Sequence, residues 1–162
     1  MVRLDPATSA ADLDAVRQLF QEYADSLGVD LNYQGFEREV RELPGDYAPP
    51  VGTLLLARRD EDIVGCVGVR RFDERTAEMK RLYVRAAGRG LGLGRTLAEA
   101  AISFAKDAGF ERMRLDTLPQ MQRAQELYRT LGFVSIEPYR FSAVPGTVYM
   151  ELALKSEHEH ER

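Results

Sequence analysis

Arg89-Gly90-Leu91-Gly92-Leu93-Gly94 stands between a strand-like run, Glu78-Met79-Lys80-Arg81-Leu82-Tyr83-Val84-Arg85, and an amphipathic helix pattern that reaches Gly109. A strand, a glycine turn and a helix start in that order make an anion site. Glycines let the main chain approach a ligand, and the first helical turn offers unpaired N–H groups at the positive end of the helix dipole. Two known phosphate loops do not fit. A Walker loop would require Gly where Arg89 stands and Lys where Arg95 stands. The dinucleotide fingerprint started at Gly88 ends on Leu93, and started at Gly90 it ends on Arg95. What remains is Arg89-x-x-Gly92-x-Gly94.

The charge around the loop points the same way. The chain has a formal net charge of -4, yet Met79 to Ala98 contains no Asp or Glu while Lys80, Arg81, Arg85, Arg89 and Arg95 fall inside it. A positive field of this kind suits a polyphosphate ligand. Nucleic acid fits less well, because the basic window is short, the whole chain is acidic and no stacking aromatics are interleaved.

With 162 residues, 44% hydrophobic and 30% charged, the chain is read as one soluble domain over residues 1–155, followed by a charged tail at 156–162 expected to be disordered. Its only cysteine, Cys66, lies in the strand-like run Ile63-Val64-Gly65-Cys66-Val67-Gly68-Val69 and reads as a small buried hydrophobe. With no apolar signal segment and no cysteine pair, the expected location is the cytoplasm, with no membrane partner. His158 and His160 both fall in the tail, so no metal site is expected.

Ser9 to Asp12 has the form of a capping box, and Leu13, Val16, Phe20, Tyr23, Ala24 and Leu27 make an apolar helical stripe that Gly28 ends. A second short helix is predicted over Phe36 to Leu43. Thr53 to Arg58 and Ile63 to Phe72 read as an antiparallel pair, and Arg112 to Thr117 as a strand that a right-handed crossover sets parallel to Met79–Val84. Pro119 is expected to open a last helix with Met121, Ala124, Leu127, Tyr128 and Leu131 on one face. Phe133–Ile136 and Val148–Leu154 close the sheet.

Two motifs, Arg89-x-x-Gly92-x-Gly94 after a strand and Ala124-x-x-Leu127-Tyr128-x-x-x-Gly132-Phe133 later, resemble segments of the GNAT superfamily of N-acetyltransferases. The element order is similar to that fold across nearly the whole chain. The resemblance implies an α/β fold with a central, mostly antiparallel sheet, one splayed parallel strand pair and helices on both faces. It implies acetyl-CoA as acyl donor, with the pantetheine arm against Leu82, Tyr83 and Val84. The pyrophosphate would then lie on Gly90, Leu91, Gly92, Leu93 and Gly94, with Arg89 and Arg95 adding charge. Where many members carry an Asn that helps hold the cofactor, this chain has Met121.

Direct transfer to an amine requires a proton acceptor for the ammonium, donors for the oxyanion and a proton for the leaving thiolate. By the resemblance Tyr128 is the general acid. Glu78 is the candidate base, directly or through water, ahead of Asp73, Glu74 and Asp116, and backbone N–H groups near Tyr83 or Val84 would hold the oxyanion. Tyr33, Phe36, Tyr139 and Arg140 are candidates for the acceptor pocket, Arg140 as a carboxylate ligand. The leading expectation is an N-acetyltransferase of a small amine or amino acid. A silent acyl-CoA-binding regulatory module and a protein N-terminal or lysine acetyltransferase are the alternatives, and the resemblance leaves room for a homodimer.

Overall fold

The computed structural model describes residues 1–154, with residues 33 and 34 described by main chain only; the tail at 156–162 and the Tyr33 side chain lie outside the described residues. The elements run β1 (Val2–Pro6), α1 (Ala10–Leu27), a 3-10 turn (Leu31–Gln34), α2 (Phe36–Arg41), β2 (Thr53–Arg59), β3 (Asp62–Arg71), β4 (Thr76–Val84), α3 (Leu93–Asp107), β5 (Arg112–Thr117), α4 (Gln122–Thr130), β6 (Val134–Ile136) and β7 (Val148–Ala153). All seven strands form one sheet in the order β1-β2-β3-β4-β5-β7-β6. Among the described residues, only β4 and β5 pair in parallel; their crossover is α3. Among the described residues, no helix is long and apolar enough to cross a membrane.

Strand alternation sends side chains to two cores. Val67, Val69, Ala77, Met79, Met113 and Leu115 pack against Leu93, Leu97, Ala101 and Ala105 of α3 and Tyr128 of α4. On the opposite face Leu54, Leu56 and Cys66 meet Val16, Leu19 and Phe20 of α1 and Tyr47. α1 begins where the sequence places it: the Ser9 hydroxyl accepts from the Asp12 N–H at 3.0 Å, and Gly28 closes the helix at φ 67°. α4 begins later than Pro119. Met121 is still non-helical at ψ 60°, and the Gln125 amide donates to the Leu118 carbonyl at 2.9 Å, so a turn fills the space before Gln122.

Two irregularities position the site. The parallel pairing of β4 with β5 stops at Glu78 opposite Arg114, and past that point a cleft opens between the strands. In β4 itself the register with β3 slips: Cys66 faces Tyr83 and Gly68 faces Lys80, so Arg81 and Leu82 together stand opposite Val67. This is a β-bulge, and Arg81 holds it at φ 60°, a left-handed conformation rare for a long side chain.

Candidate active site

The cleft between the splayed strands is lined by Met79 to Leu82 of β4 and by Leu115, Asp116 and Thr117 of β5 with Leu118. Tyr23 and Leu31 approach from the α1 side, Met121 and Tyr128 from α4, and Thr147 from the loop before β7. Met121 therefore occupies the wall as an apolar side chain. Thr117 Oγ1 is a buried hydroxyl with no hydrogen-bond partner among the described residues. An unsatisfied buried hydroxyl costs stability, and at a cleft wall it marks a place where a ligand can bond.

The glycine loop follows β4, the strand that lines one wall of the cleft, and leads into α3. Gly90 and Gly92 adopt φ 82° and 69°, and Gly92 caps α3 without any side-chain bond to its first turn. Among the described residues, the six consecutive main-chain N–H groups from Gly90 to Arg95 meet no acceptor. Nothing lies within 4 Å of where a Cβ would stand on Gly90 or Gly92, and the first turn of α3 contains no acidic side chain. These amides are open to an anion.

The basic window resolves differently from its reading as one positive field. Only Arg89 and Arg95 stay exposed beside the loop, Arg95 lying 3.6 Å from Glu99. Arg85 pairs with Glu22 at 2.7 Å, Arg81 with Glu39 at 3.0 Å, and Lys80 Nζ stands 3.7 Å from Asp116. The loop binds anions through its amides, with two arginines at its rim. The other three cations belong to partners brought in from α1, α2 and β5.

Those partners build a charged layer on the α1/α2 face of the sheet. Glu78, 1% exposed, accepts from Arg70 Nε at 3.0 Å and from the Tyr139 hydroxyl at 2.9 Å, and Arg140 Nη2 lies 2.7 Å away. Burial pushes its pKa up, but Lys80, Arg70 and Arg140 overcome that and hold it at about 2. Glu78 is an anion throughout the neutral range. Burial lowers the Lys80 pKa to about 8, and the neighbouring Arg81 adds to the effect. Arg114, opposite Glu78 on β5, pairs with Glu151 at 2.7 Å and lies over the rings of Phe72 and Tyr139.

Tyr128 lines the cleft from α4; burial raises its pKa, so the hydroxyl keeps its proton. That hydroxyl has no hydrogen-bond partner among the described residues. Tyr83 packs on the α1 side of the sheet with its hydroxyl 3.4 Å from Glu22, and Phe36 is buried under the Arg81 guanidinium at 5.1 Å. Tyr139 and Arg140 both converge on Glu78. Asp116 lines the cleft, whereas Asp73 and Glu74 sit in the exposed β3–β4 turn. Sequence reasoning passed over Arg70, Glu39 and Thr117 as site residues, and it assigned Lys80 and Arg81 to the positive field of the loop. The break in β propensity that Arg81 causes has no one-residue signature, and Glu39 reads as one more exposed glutamate on a short helix.

The profile of the Acetyltransferase (GNAT) family matches residues 13–133. The chain belongs to the GNAT acetyltransferase family. An uncharacterised N-acetyltransferase of Schizosaccharomyces pombe is 40% identical over 145 residues, spanning 88% of this chain and 89% of that one. Among solved structures, a GNAT-family acetyltransferase from Staphylococcus aureus superposes with a TM-score of 0.79 at 20% identity, over 96% of this chain and all of that one. The structure of yncA from Salmonella typhimurium with its cofactor acetyl-CoA superposes with a TM-score of 0.68 at 22% identity, over 96% of this chain and 95% of that one. The fold of this GNAT acetyltransferase, a mixed sheet with one parallel pair, superposes on those solved neighbours over nearly its whole length.

Proposed function

We propose that this protein is an acetyl-CoA-dependent N-acetyltransferase that passes an acetyl group directly to the primary amine of a small molecule or amino acid. The observation that carries the reading is the run of six acceptor-free amides from Gly90 to Arg95, in the loop that follows β4, together with the cleft that β4 lines and whose other wall holds Tyr128. The residues fit a coenzyme A thioester: the amides and Arg89 would take the pyrophosphate, and the unpaired edges of Leu82–Val84 and the orphan hydroxyl of Thr117 would take the pantetheine arm. When bound, the thioester supplies an activated acetyl carbon.

The acceptor nitrogen forms the C–N bond to that carbon as the C–S bond breaks. The bulge at Arg81–Leu82 breaks the register of β4 with β3 beside the cleft, and main-chain N–H groups near Tyr83 or Val84 would hold the developing oxyanion. Tyr128 gives its proton to the departing thiolate. Glu78, fixed as an anion, stabilises the positive charge that grows on the attacking nitrogen, whose proton leaves through water. Glu78 thus positions Arg70, Arg140 and Tyr139 while it sets the local potential. Operation in the cytoplasm, and pairing of two copies near β6, whose free edge exposes Val134, belong to the same reading.

The test is thiol release from acetyl-CoA with a panel of primary amines. Turnover that depends on the amine supports the reading. Tight acetyl-CoA binding with no turnover on any amine would favour the regulatory module.

A further inference from the structure

Lys80 and Asp116 stand at the first level where the splayed strands no longer pair. The parallel register ends with Glu78 opposite Arg114, so two residues further Lys80 on β4 faces Asp116 on β5 across the gap, with Nζ 3.7 Å from the carboxylate. Strand alternation sends Met79, Met113 and Leu115 to the α3 side of the sheet, and Lys80 and Asp116 to the other side. Gly68, opposite Lys80 on β3, agrees: a Cβ there would meet the ring of Tyr47, which packs with α1. Tyr128 borders the same cleft from the core on the α3 side. The gap thus has a phenol on one face and an amine on the other. Acyl transfer needs them apart, because nucleophile and leaving group occupy different corners of the tetrahedral carbon.

The choice of lysine at this position is informative. Of the 22 lysines and arginines in the chain, only Lys80, Lys106 and Lys155 are lysines. The cationic neighbours Arg70 and Arg81 keep their protons throughout the neutral range, as guanidinium groups do. Lys80 can release one. It is 4% exposed, and burial brings its pKa from 10.5 to about 8. Arg81 beside it and Arg70 on β3 push the same way, while Asp116 on β5 and Glu78 on its own strand favour the ammonium. Glu39 on α2 is a further anion that senses Lys80, Tyr23 of α1 and Tyr128 of α4 border the same cleft, and Tyr139 faces Glu78 and Asp116 from the β6–β7 loop. The balance leaves an amine that exchanges its proton close to neutral pH, the range in which a general base works best.

We propose that Lys80, paired with Asp116, is the catalytic base of this transferase, taking the proton of the attacking nitrogen on the α1/α2 face of the sheet while Tyr128 serves the thiolate from the other face. This rests on the N-acetyltransferase reading and supplies the group through which the nitrogen's proton reaches water. The lone pair of the neutral acceptor nitrogen forms the C–N bond to the acetyl carbon. One N–H proton passes to the Lys80 amine, which becomes an ammonium favoured by Asp116 and Glu78. The C–S bond breaks and the thiolate takes the Tyr128 proton. Lys80 then gives its proton to water and Tyr128 regains one from water, so the enzyme returns to its starting state with one amide and one thiol formed.

The scarcity of lysine makes the test direct. NMR of protein labelled at lysine Cε, with coenzyme A present, should show one signal that titrates near pH 8 and is missing from Lys80→Arg. On the best amine of the panel, kcat should rise with pH through a midpoint in the same range. Asp116→Asn removes an anion that favours the ammonium, so both midpoints should move to lower pH. Lys80→Arg keeps the charge but cannot release a proton, and kcat should fall on the order of a hundredfold with acetyl-CoA affinity nearly unchanged by calorimetry. Thermal melts show whether each variant folds; if Lys80→Arg does not, the parent's titration and the Asp116→Asn shifts decide. An arginine variant with turnover near the parent's makes Lys80 a structural cation and overturns the proposal. A Lys80 signal that titrates with the other two lysines does so as well. A kcat midpoint that stays in place in Asp116→Asn while the NMR midpoint moves assigns the pH dependence to the acceptor's own ammonium, and also overturns it. All three outcomes leave the N-acetyltransferase reading intact. No thiol release from any amine, with Lys80 titrating near pH 8, overturns that reading and the proposal with it.

Discussion

Both carboxylate oxygens of Glu39 are gripped by Arg81, through Nε and Nη2 at 3.0 Å each, so α2 is tied to the one residue that holds the β4 bulge at positive φ. Burial and this pairing have opposite effects on Arg81, and the pairing wins: its pKa rises although desolvation alone would lower it. Tyr47 adds a third bond, its hydroxyl donating to Glu39 at 3.0 Å. The Tyr47 ring reaches that position because Gly68 has no side chain; a Cβ there would stand 2.7 Å from the ring. Glu39→Ala leaves a buried guanidinium without its partner, and the expected loss is about 3 kcal/mol or more in urea denaturation. Because the bulge loses its anchor, turnover should fall as well in protein that remains folded. A loss below 1 kcal/mol would show that Arg81 finds solvent or another carboxylate.

Tyr128→Phe separates chemistry from packing. The hydroxyl has no partner among the described residues, so its removal should change stability by less than about 0.5 kcal/mol. As the proton donor to the thiolate it should matter for turnover, slowing it on the order of a hundredfold with acetyl-CoA affinity nearly unchanged. Stopped assays and calorimetry on the same preparation give both numbers. Unchanged turnover would make Tyr128 a core residue that happens to border the cleft.

The contrast between these two sites explains what the sequence discloses. The Gly90–Gly94 loop and the Ala124–Phe133 segment are local: spacing along the chain is spacing in space, and glycine at positive φ carries its own signature. The strand order and the parallel pairing follow from the same local elements and the handedness of the crossover. Charge pairing is not local. Lys80, Arg81 and Arg85 look alike beside Arg89 in the sequence, yet Asp116, Glu39 and Glu22 claim them from separate elements. No periodicity announces which distant carboxylate a buried arginine meets, and the one-residue slip that turns Arg81 to the α2 face is equally silent. The electrostatics of the site therefore become readable only in three dimensions.

Gly92→Glu tests the loop. A side chain at φ 69° costs about 1–2 kcal/mol of backbone strain, which the fold should tolerate because the surrounding space is open. The added carboxylate stands at the start of α3, where the amides await an anion. Acetyl-CoA binding should weaken at least tenfold by calorimetry, with a melting curve that remains cooperative. A variant that binds as tightly as the parent would move the pyrophosphate elsewhere.

Glu78 gives a pH dependence whose sign can be worked out. Its carboxyl is held at about 2 in the folded chain against 4.5 for an unperturbed glutamate, so folding favours the anion. The resulting stabilisation is complete above pH 4.5 and is lost as pH falls toward 2, on the order of 3 kcal/mol over the window. Other carboxylates titrate there too, so the informative quantity is a difference: urea midpoints of the parent and of Glu78→Gln at pH 6, 5, 4 and 3 should converge as pH falls. Turnover answers a separate question. Glu78 is an anion at every pH from 6 to 10, so Glu78→Gln should reduce kcat without shifting activity toward higher pH; Lys80, whose pKa is about 8 and is raised by Glu78, moves the profile only the other way when Glu78 is lost. If Glu78 itself took up the amine proton, its loss would shift activity toward higher pH, where more amine is already neutral. A profile shifted that way would therefore make Glu78 the base, at odds with a carboxyl so strongly stabilised as the anion, and would require Arg140 or Arg70 to move away from it when the acceptor binds.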